Sequence, residues 1–199
     1  MMQVRIHGRG GQGVVTAAEL LSMAAFADGQ QAQAFPSFGS ERMGAPVMAF
    51  CRLDNQTIRT REAVTNPDVV IVQDPTLLHQ VDVFGGLRGE GYVLINSTLP
   101  REELGIEEFL KTLPDGHVCI VPASEIGLKH VKRPIANTPL LGAFAAITGL
   151  IKLASVESAI LRKFPGPLGE GNAAAAREAN DYVADCVRDH KGVHHARAN

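Results

Sequence analysis

Four glycines fall within six residues near the start of the chain, in the run Gly8-Arg9-Gly10-Gly11-Gln12-Gly13. They follow a short apolar strand pattern and precede an Ala/Leu-rich stretch with helical spacing. A strand, a glycine turn and a helix start together make an anion site. The turn lets the backbone come close to a ligand, and the first N–H groups of the helix face it with the positive end of the dipole. Gly8, Gly10 and Gly13 also satisfy the dinucleotide pattern G-x-G-x-x-G. A NAD site, however, carries an acid about 20 residues beyond the glycines for the ribose hydroxyl. Here that stretch reads Gln33-Ala34-Phe35-Pro36, with no acid. The Walker pattern G-x-x-x-x-G-K-S/T is also missing. Three readings stay open: a phosphate-bearing ligand or a partner's cofactor, a disfavoured dinucleotide, and a turn that only packs a helix on a sheet.

A second unusual segment is Pro36-Ser37-Phe38-Gly39-Ser40-Glu41-Arg42-Met43-Gly44-Ala45-Pro46, rich in turn formers. A loop of this length in a compact domain is more often functional than accidental. Arg42 has the planar fork that binds a carboxylate or phosphate, while a plain surface crossover is the competing reading. Other catalytic signals are weak. The seven histidines show no zinc spacing, and neither Ser37 nor Ser40 lies in a nucleophile elbow. His7 reads as a strand-end residue rather than a general base. Asp74, between a buried strand and Pro75, reads as a helix N-cap, although ligands of α/β proteins bind at such strand ends.

These residues need elements to hold them. Residues 3–7 and 31–35 read as strands and residues 14–26 as a helix, closed by Gly29. Residues 47–53 and 56–60 flank Asp54-Asn55 and read as two arms of a hairpin. The apolar runs at 69–73, 92–96 and 118–121 have the character of strands buried on both faces of a parallel sheet. Helices are expected from Asp74 to about residue 83, at 102–113, 124–130, 139–153, 156–164 and 172–190, with Asn172 capping the last. The fold class is therefore α/β, a three-layer α/β/α domain with a mixed, mostly parallel sheet, a Rossmann-like N-terminal half and a helical C-terminal end. One domain spans 1–190, and 191–199 reads as a disordered tail.

Composition narrows the function classes. The chain has 199 residues, enough for one domain with a real core. A net charge of −2, 5% aromatic residues and no Trp argue against a nucleic-acid partner. The longest apolar stretch contains Gly149 and Lys152 and falls short of a membrane span. The start lacks the apolar region of a signal peptide, and Cys51, Cys119 and Cys186 are far apart and odd in number. They read as buried thiols in a reducing compartment, so a cytoplasmic location is expected.

At this point the motifs resemble a family. Gly8-Arg9-Gly10-Gly11-Gln12-Gly13 is similar to the G-x-G-G-Q-G opening of the gamma subunit of 2-oxoacid:ferredoxin oxidoreductases, the unit equivalent to the third domain of single-chain pyruvate:ferredoxin oxidoreductase. The 36–46 loop resembles that family's P-S-F/Y-G-x-E-x-R-G segment, with Met43 departing where an arginine is frequent. Asn137-Thr138 with Leu141-Gly142-Ala143, then Phe164-Pro165 with Gly169 and Asn172, continue the likeness in order along nearly the whole chain.

The resemblance implies a subunit of an enzyme turning a 2-oxo acid, coenzyme A and an oxidised acceptor into acyl-CoA, carbon dioxide and reduced ferredoxin or another acceptor. It implies thiamine diphosphate with Mg on alpha and beta subunits, and 4Fe-4S clusters on a delta or ferredoxin-like subunit. Three scattered cysteines agree, since such a cluster takes four. This chain then holds no cofactor alone, supplies no catalytic residue and is inactive in isolation. Gly8, Arg9, Gly10, Gly11, Gln12 and Gly13 are expected near coenzyme A phosphates. Ser37, Phe38, Gly39, Glu41 and Arg42 are expected to reach a neighbouring subunit or the active site. A ligand-free assembly module and a freestanding nucleotide-binding oxidoreductase remain the alternatives.

Overall fold

The computed structural model describes residues 1–37 and 43–196, with side chains to residue 188. Six strands form one sheet in the order β2-β3-β1-β4-β5-β6. These are β1 (Met2–Arg9), β2 (Gln31–Pro36), β3 (Pro46–Asp54), β4 (Val69–Val72), β5 (Tyr92–Asn96) and β6 (Val118–Val121). β1, β4, β5 and β6 run parallel, while β3 lies antiparallel between β1 and β2. The expected mixed, mostly parallel α/β sheet is present.

Alternation along the strands sorts the core into two faces. Val4, Ile6, Val69, Ile71, Leu94, Cys119 and Val121 face one cluster, shared with α1 (Val14–Ala27), α3 (Ala123–Val131), α4 (Asn137–Thr148), α5 (Leu153–Lys163) and α6 (Pro167–Ala196). Val70, Val72, Val93 and Ile95 face the other, beneath two short 3-10 helices, Pro75–His79 and Arg101–Leu104, which supply Leu77 and Leu104. α4 is buried along nearly its whole length, which explains its unbroken apolar sequence: it is a core helix, ended by Gly149 in the left-handed conformation.

α4 meets α6 through small residues. A methyl group at Gly142 would run into the backbone carbonyl of Ala176, so only glycine permits this approach. The alanines at 173, 175, 176 and 179 are buried there, and packing, as well as helix propensity, accounts for the Ala run.

Several expected boundaries move. Residues 56–60 form no strand, because β3 already pairs on both sides, with β1 and with β2. The 55–68 segment instead supplies carbonyls: Arg5 donates to Val64 O, and Arg52 donates to Glu62 O at 2.5 Å. The helix after Asp74 is a single 3-10 segment rather than one reaching residue 83. The 102–113 helix breaks at Gly105 into the 3-10 turn and a short α2 (Glu107–Leu110). α6 starts at Pro167, so Asn172 lies inside it and is no cap; its side chain bonds Thr138 and Leu168 O instead. α6 continues past residue 190 to Ala196. Cys51 and Cys119 are buried and Cys186 is half-buried, and none of the three is in a disulfide.

Candidate functional site

The parallel strands deliver their C-terminal ends to one edge, where the order reverses: β3 lies on one side of β1 and β4 on the other. Crevices at such reversals are where open α/β sheets bind ligands. Gly8 and Arg9 end β1 and Gly10 to Gly13 turn out of it, Gln73-Asp74 follow β4, and Asn96 ends β5 before Ser97.

The turn is braced from both sides. Gly10 N–H donates to Ala45 O at 2.9 Å and Gly44 N–H to Gly10 O at 3.0 Å. The two loops singled out from the sequence therefore meet. Ser37 N–H bonds Met48 O at 2.9 Å, whereas Phe38, Gly39, Glu41 and Arg42 lie outside the described residues. On the other side Arg9 donates through Nε to Asp74 at 3.2 Å, to Gly44 O at 3.0 Å, to Thr76 Oγ1 at 2.7 Å and to Gln80 Oε1 at 2.8 Å. Gln12 accepts from Arg9 N–H and donates to the same Asp74 oxygen, both at 2.8 Å. Arg9 is thus a half-buried strut between segments of this chain, which its charge alone did not reveal.

Asp74 caps the 3-10 turn, accepting from Thr76 N–H at 3.0 Å. Burial alone would raise its pKa, but the bonds from Thr76 and Gln12 and the charge of Arg9 outweigh that and hold it below the usual carboxylate range. His7, one residue before the turn, is buried. It accepts from Arg5 Nε at 3.1 Å, and desolvation together with the Arg5 charge pushes its pKa down to about 4. A neutral ring held under a guanidinium is a structural partner, so the strand-end reading of His7 fits better than a general base.

Beside the turn opens a recess of about 240 Å³, lined among others by Gly11, Gly13, Gln73, Ser124, Ile135 and Asn137. Three helices of nine or more residues begin at it: α1 after Gly13, α3 at Ala123 and α4 at Asn137. Among the described residues no Asp, Glu, Lys or Arg lines it, and the helix N-termini turn the positive ends of their dipoles towards it. Gly13 is the N-cap of α1 at φ 72, with no side-chain cap on the helix. A Cβ at Gly13 would also meet Asn137 Nδ2 at 2.5 Å.

Gln73 forms part of the recess, 2% exposed, with both side-chain amide atoms unpartnered among the described residues. Asn96 fixes the surrounding frame, donating to Gln73 O and Ser124 Oγ at 2.8 Å and accepting from Ser124 N–H at 3.0 Å. Gln73, Ser124 and Asn137 were not among the site residues expected from the sequence. The usable signal was a lone polar residue ending the all-apolar run Val69 to Val72 at a strand C-terminus. A larger depression of about 370 Å³, lined by Arg101, Glu107 and Lys111, lies by α2 and the start of β6, away from this crevice.

The strand order takes from the turn the neighbour that a dinucleotide pattern uses. β3 is inserted between β1 and β2, so the end of β2, where a ribose-binding acid would stand, is two strand spacings from the turn, roughly 10 Å.

With this geometry in place, comparison with known proteins decides the lineage. Residues 3–182 match the model of the pyruvate ferredoxin/flavodoxin oxidoreductase family. The chain belongs to that family. It is 53% identical over 179 residues to the pyruvate/ketoisovalerate oxidoreductases common subunit gamma of Pyrococcus furiosus, covering 90% of this chain and 95% of that one. It is similar to the crystal structure of pyruvate oxidoreductase subunit PORC from Thermotoga maritima, with TM-score 0.75, 38% identity, and 90% and 95% of the two chains covered. A 2-oxoglutarate:ferredoxin oxidoreductase from Magnetococcus marinus, with 2-oxoglutarate, coenzyme A and succinyl-CoA bound, shares the fold. There the TM-score is 0.67 at 19% identity, over 94% of this chain and 31% of that one. This family member is a gamma-type subunit of an oxidoreductase complex.

No helix among the described residues is long and apolar enough to cross a membrane. No group of three or more His, Cys, Asp or Glu among them is placed to hold a metal ion.

Proposed function

We propose that the chain forms the coenzyme A side of a complex that oxidatively decarboxylates a 2-oxo acid. The products are acyl-CoA, carbon dioxide and a reduced ferredoxin or other acceptor. Thiamine diphosphate with Mg and the 4Fe-4S clusters belong to partner subunits, and this chain is inactive without them. Thiamine supplies the electron sink for decarboxylation when bound on those partners. This chain's residues bind and orient.

The observation that supports the reading is the recess at the β1/β4 strand ends, with three helix N-termini around it and the uncapped start of α1 at its wall. Backbone N–H groups of Gly13 to Thr16 suit a phosphate. Arg9 acts differently. Bonded to Asp74, Gly44, Thr76 and Gln80, it fixes the turn so that these N–H groups keep their aim. The 36–46 loop joins the turn at Gly10 and Gly44 and reaches the neighbouring subunit. A cytoplasmic location goes with this reading.

The test is Gly11→Ala in the assembled complex. Gly11 has φ +92 beside Met43, so a side chain there strains the turn. The Michaelis constant for coenzyme A rises severalfold and that for the 2-oxo acid holds. An unchanged coenzyme A constant with assembly intact refutes the contact and leaves a ligand-free assembly module, the reading that Arg9's bonds within this chain favour.

A further inference from the structure

Gln73, just after β4, has donor and acceptor groups buried and unpartnered among the described residues, and it forms part of the recess. Its backbone is already satisfied: its N–H donates to His7 O at 2.8 Å and its carbonyl accepts from Asn96. Only the carboxamide is left, and a buried polar group without a partner is strongly disfavoured. A group seated in the recess against Gln73 supplies both an acceptor and a donor once the side chain turns towards it. A phosphate does not fit this demand, because its oxygens accept and would face Gln73 Oε1 with like charge. Phosphate chemistry belongs with the α1 N–H groups, and Gln73 calls for a neutral group.

We propose that Gln73 reads an amide-type edge, a donor beside an acceptor, on the coenzyme A molecule that enters this recess. The proposal rests on the coenzyme A reading above and adds the residue and the chemical group. Both carboxamide atoms are unpaired, so the pairing holds whichever way the Gln73 amide is turned. About 240 Å³ accommodates a planar group of this size and no whole cofactor. Ile135, among the lining residues, offers an apolar surface to such a plane. Coenzyme A presents this edge in two places, the amides of its pantetheine arm and the amino-pyrimidine edge of its adenine.

The experiment uses the assembled complex, wild type and Gln73→Met, titrated calorimetrically with coenzyme A, pantetheine and adenosine 3',5'-bisphosphate. Methionine keeps the length of the side chain and removes both polar atoms. Binding of coenzyme A and of one fragment weakens about tenfold in the variant, as the loss of two hydrogen bonds requires. The other fragment is unaffected, which identifies the edge that is read. The melting temperature of the unliganded complex does not fall, because the exchange removes unpaired buried polar atoms. Unchanged affinities for all three ligands overturn the proposal while leaving the coenzyme A reading intact. A lowered melting temperature with unchanged affinities makes Gln73 structural and overturns it as well. A wild-type complex that binds none of the three removes the coenzyme A reading itself, and the proposal with it.

Discussion

Arg9 stands in the glycine turn with a positive charge, yet four hydrogen bonds tie its guanidinium to other residues of this chain. Replacing it by alanine strips one side chain that ties the end of β1 to the residues following β4. We expect a loss of about 1–3 kcal/mol in urea unfolding, since charge-assisted bonds are lost and Asp74 is left half-paired. Asp74 titrates below the usual carboxylate range, so its contribution is complete above the ordinary aspartate pKa and disappears as pH falls through the lowered one. In Arg9→Ala that acid transition moves up in pH. His7 works over a higher window. Its folded pKa is lowered from 6.5 to about 4, so stability is lost as pH falls between those values. The loss amounts to about 3 kcal/mol at the low end. His7→Gln keeps an acceptor for Arg5 and removes the titration. Urea midpoints between pH 7 and pH 4 then become flatter than in the wild type. The roles of these residues were only half legible. Asp74 as a cap follows from Asp-Pro after an apolar run, whereas the strut role of Arg9 depends on Thr76 and Gln80, more than 60 positions away.

Elements were legible wherever the pattern was local. β4, β5 and β6 match continuous apolar runs, and α1 begins where the glycines end. The hairpin at 47–60 failed because strand pairing is not local: β3 takes β1 and β2 as partners, so no neighbour is left for residues 56–60. The start of α6 failed for a related reason, since Asn172 has its side chain bound to Thr138 on α4 across 34 positions. The α4–α6 contact gives a sharp prediction. Gly142→Ala drives a methyl into the Ala176 carbonyl, and two long helices in a packed core cannot separate cheaply. We expect at least about 3 kcal/mol of destabilisation by denaturant unfolding. Gly13→Ala is milder for the fold and worse for the site. Its positive φ disfavours a side chain by about 1–2 kcal/mol, and the added methyl pushes Asn137 across the recess, weakening coenzyme A binding.

Across the molecule, the sheet order sets a glycine-rich turn in surroundings unlike those of a dinucleotide site. With β3 between β1 and β2, the glycine turn lacks the neighbour that would read a ribose, and its open side faces α3 and α4 instead. The family signature was visible in the glycine run, but the recess was not. It takes Gly13, Gln73, Ser124 and Asn137 from four separate segments that only the fold gathers. Met43, 85% exposed, stands against Gly11, on the loop of this chain that we propose meets a partner subunit. Met43→Asp should weaken co-elution with the other subunits in size-exclusion chromatography and leave the unfolding of this chain unchanged, because the side chain is not part of its core.

Everything proposed for the recess depends on the α1 N-terminus and its glycine turn meeting coenzyme A within the complex. Hydrogen exchange of residues 10–16 in the assembled enzyme, with and without coenzyme A, reads that contact at the amides themselves. We expect slowed exchange at these amides on adding coenzyme A to the complex, with no change when it is added to the isolated chain. Identical exchange with and without coenzyme A in an active complex would rule the contact out.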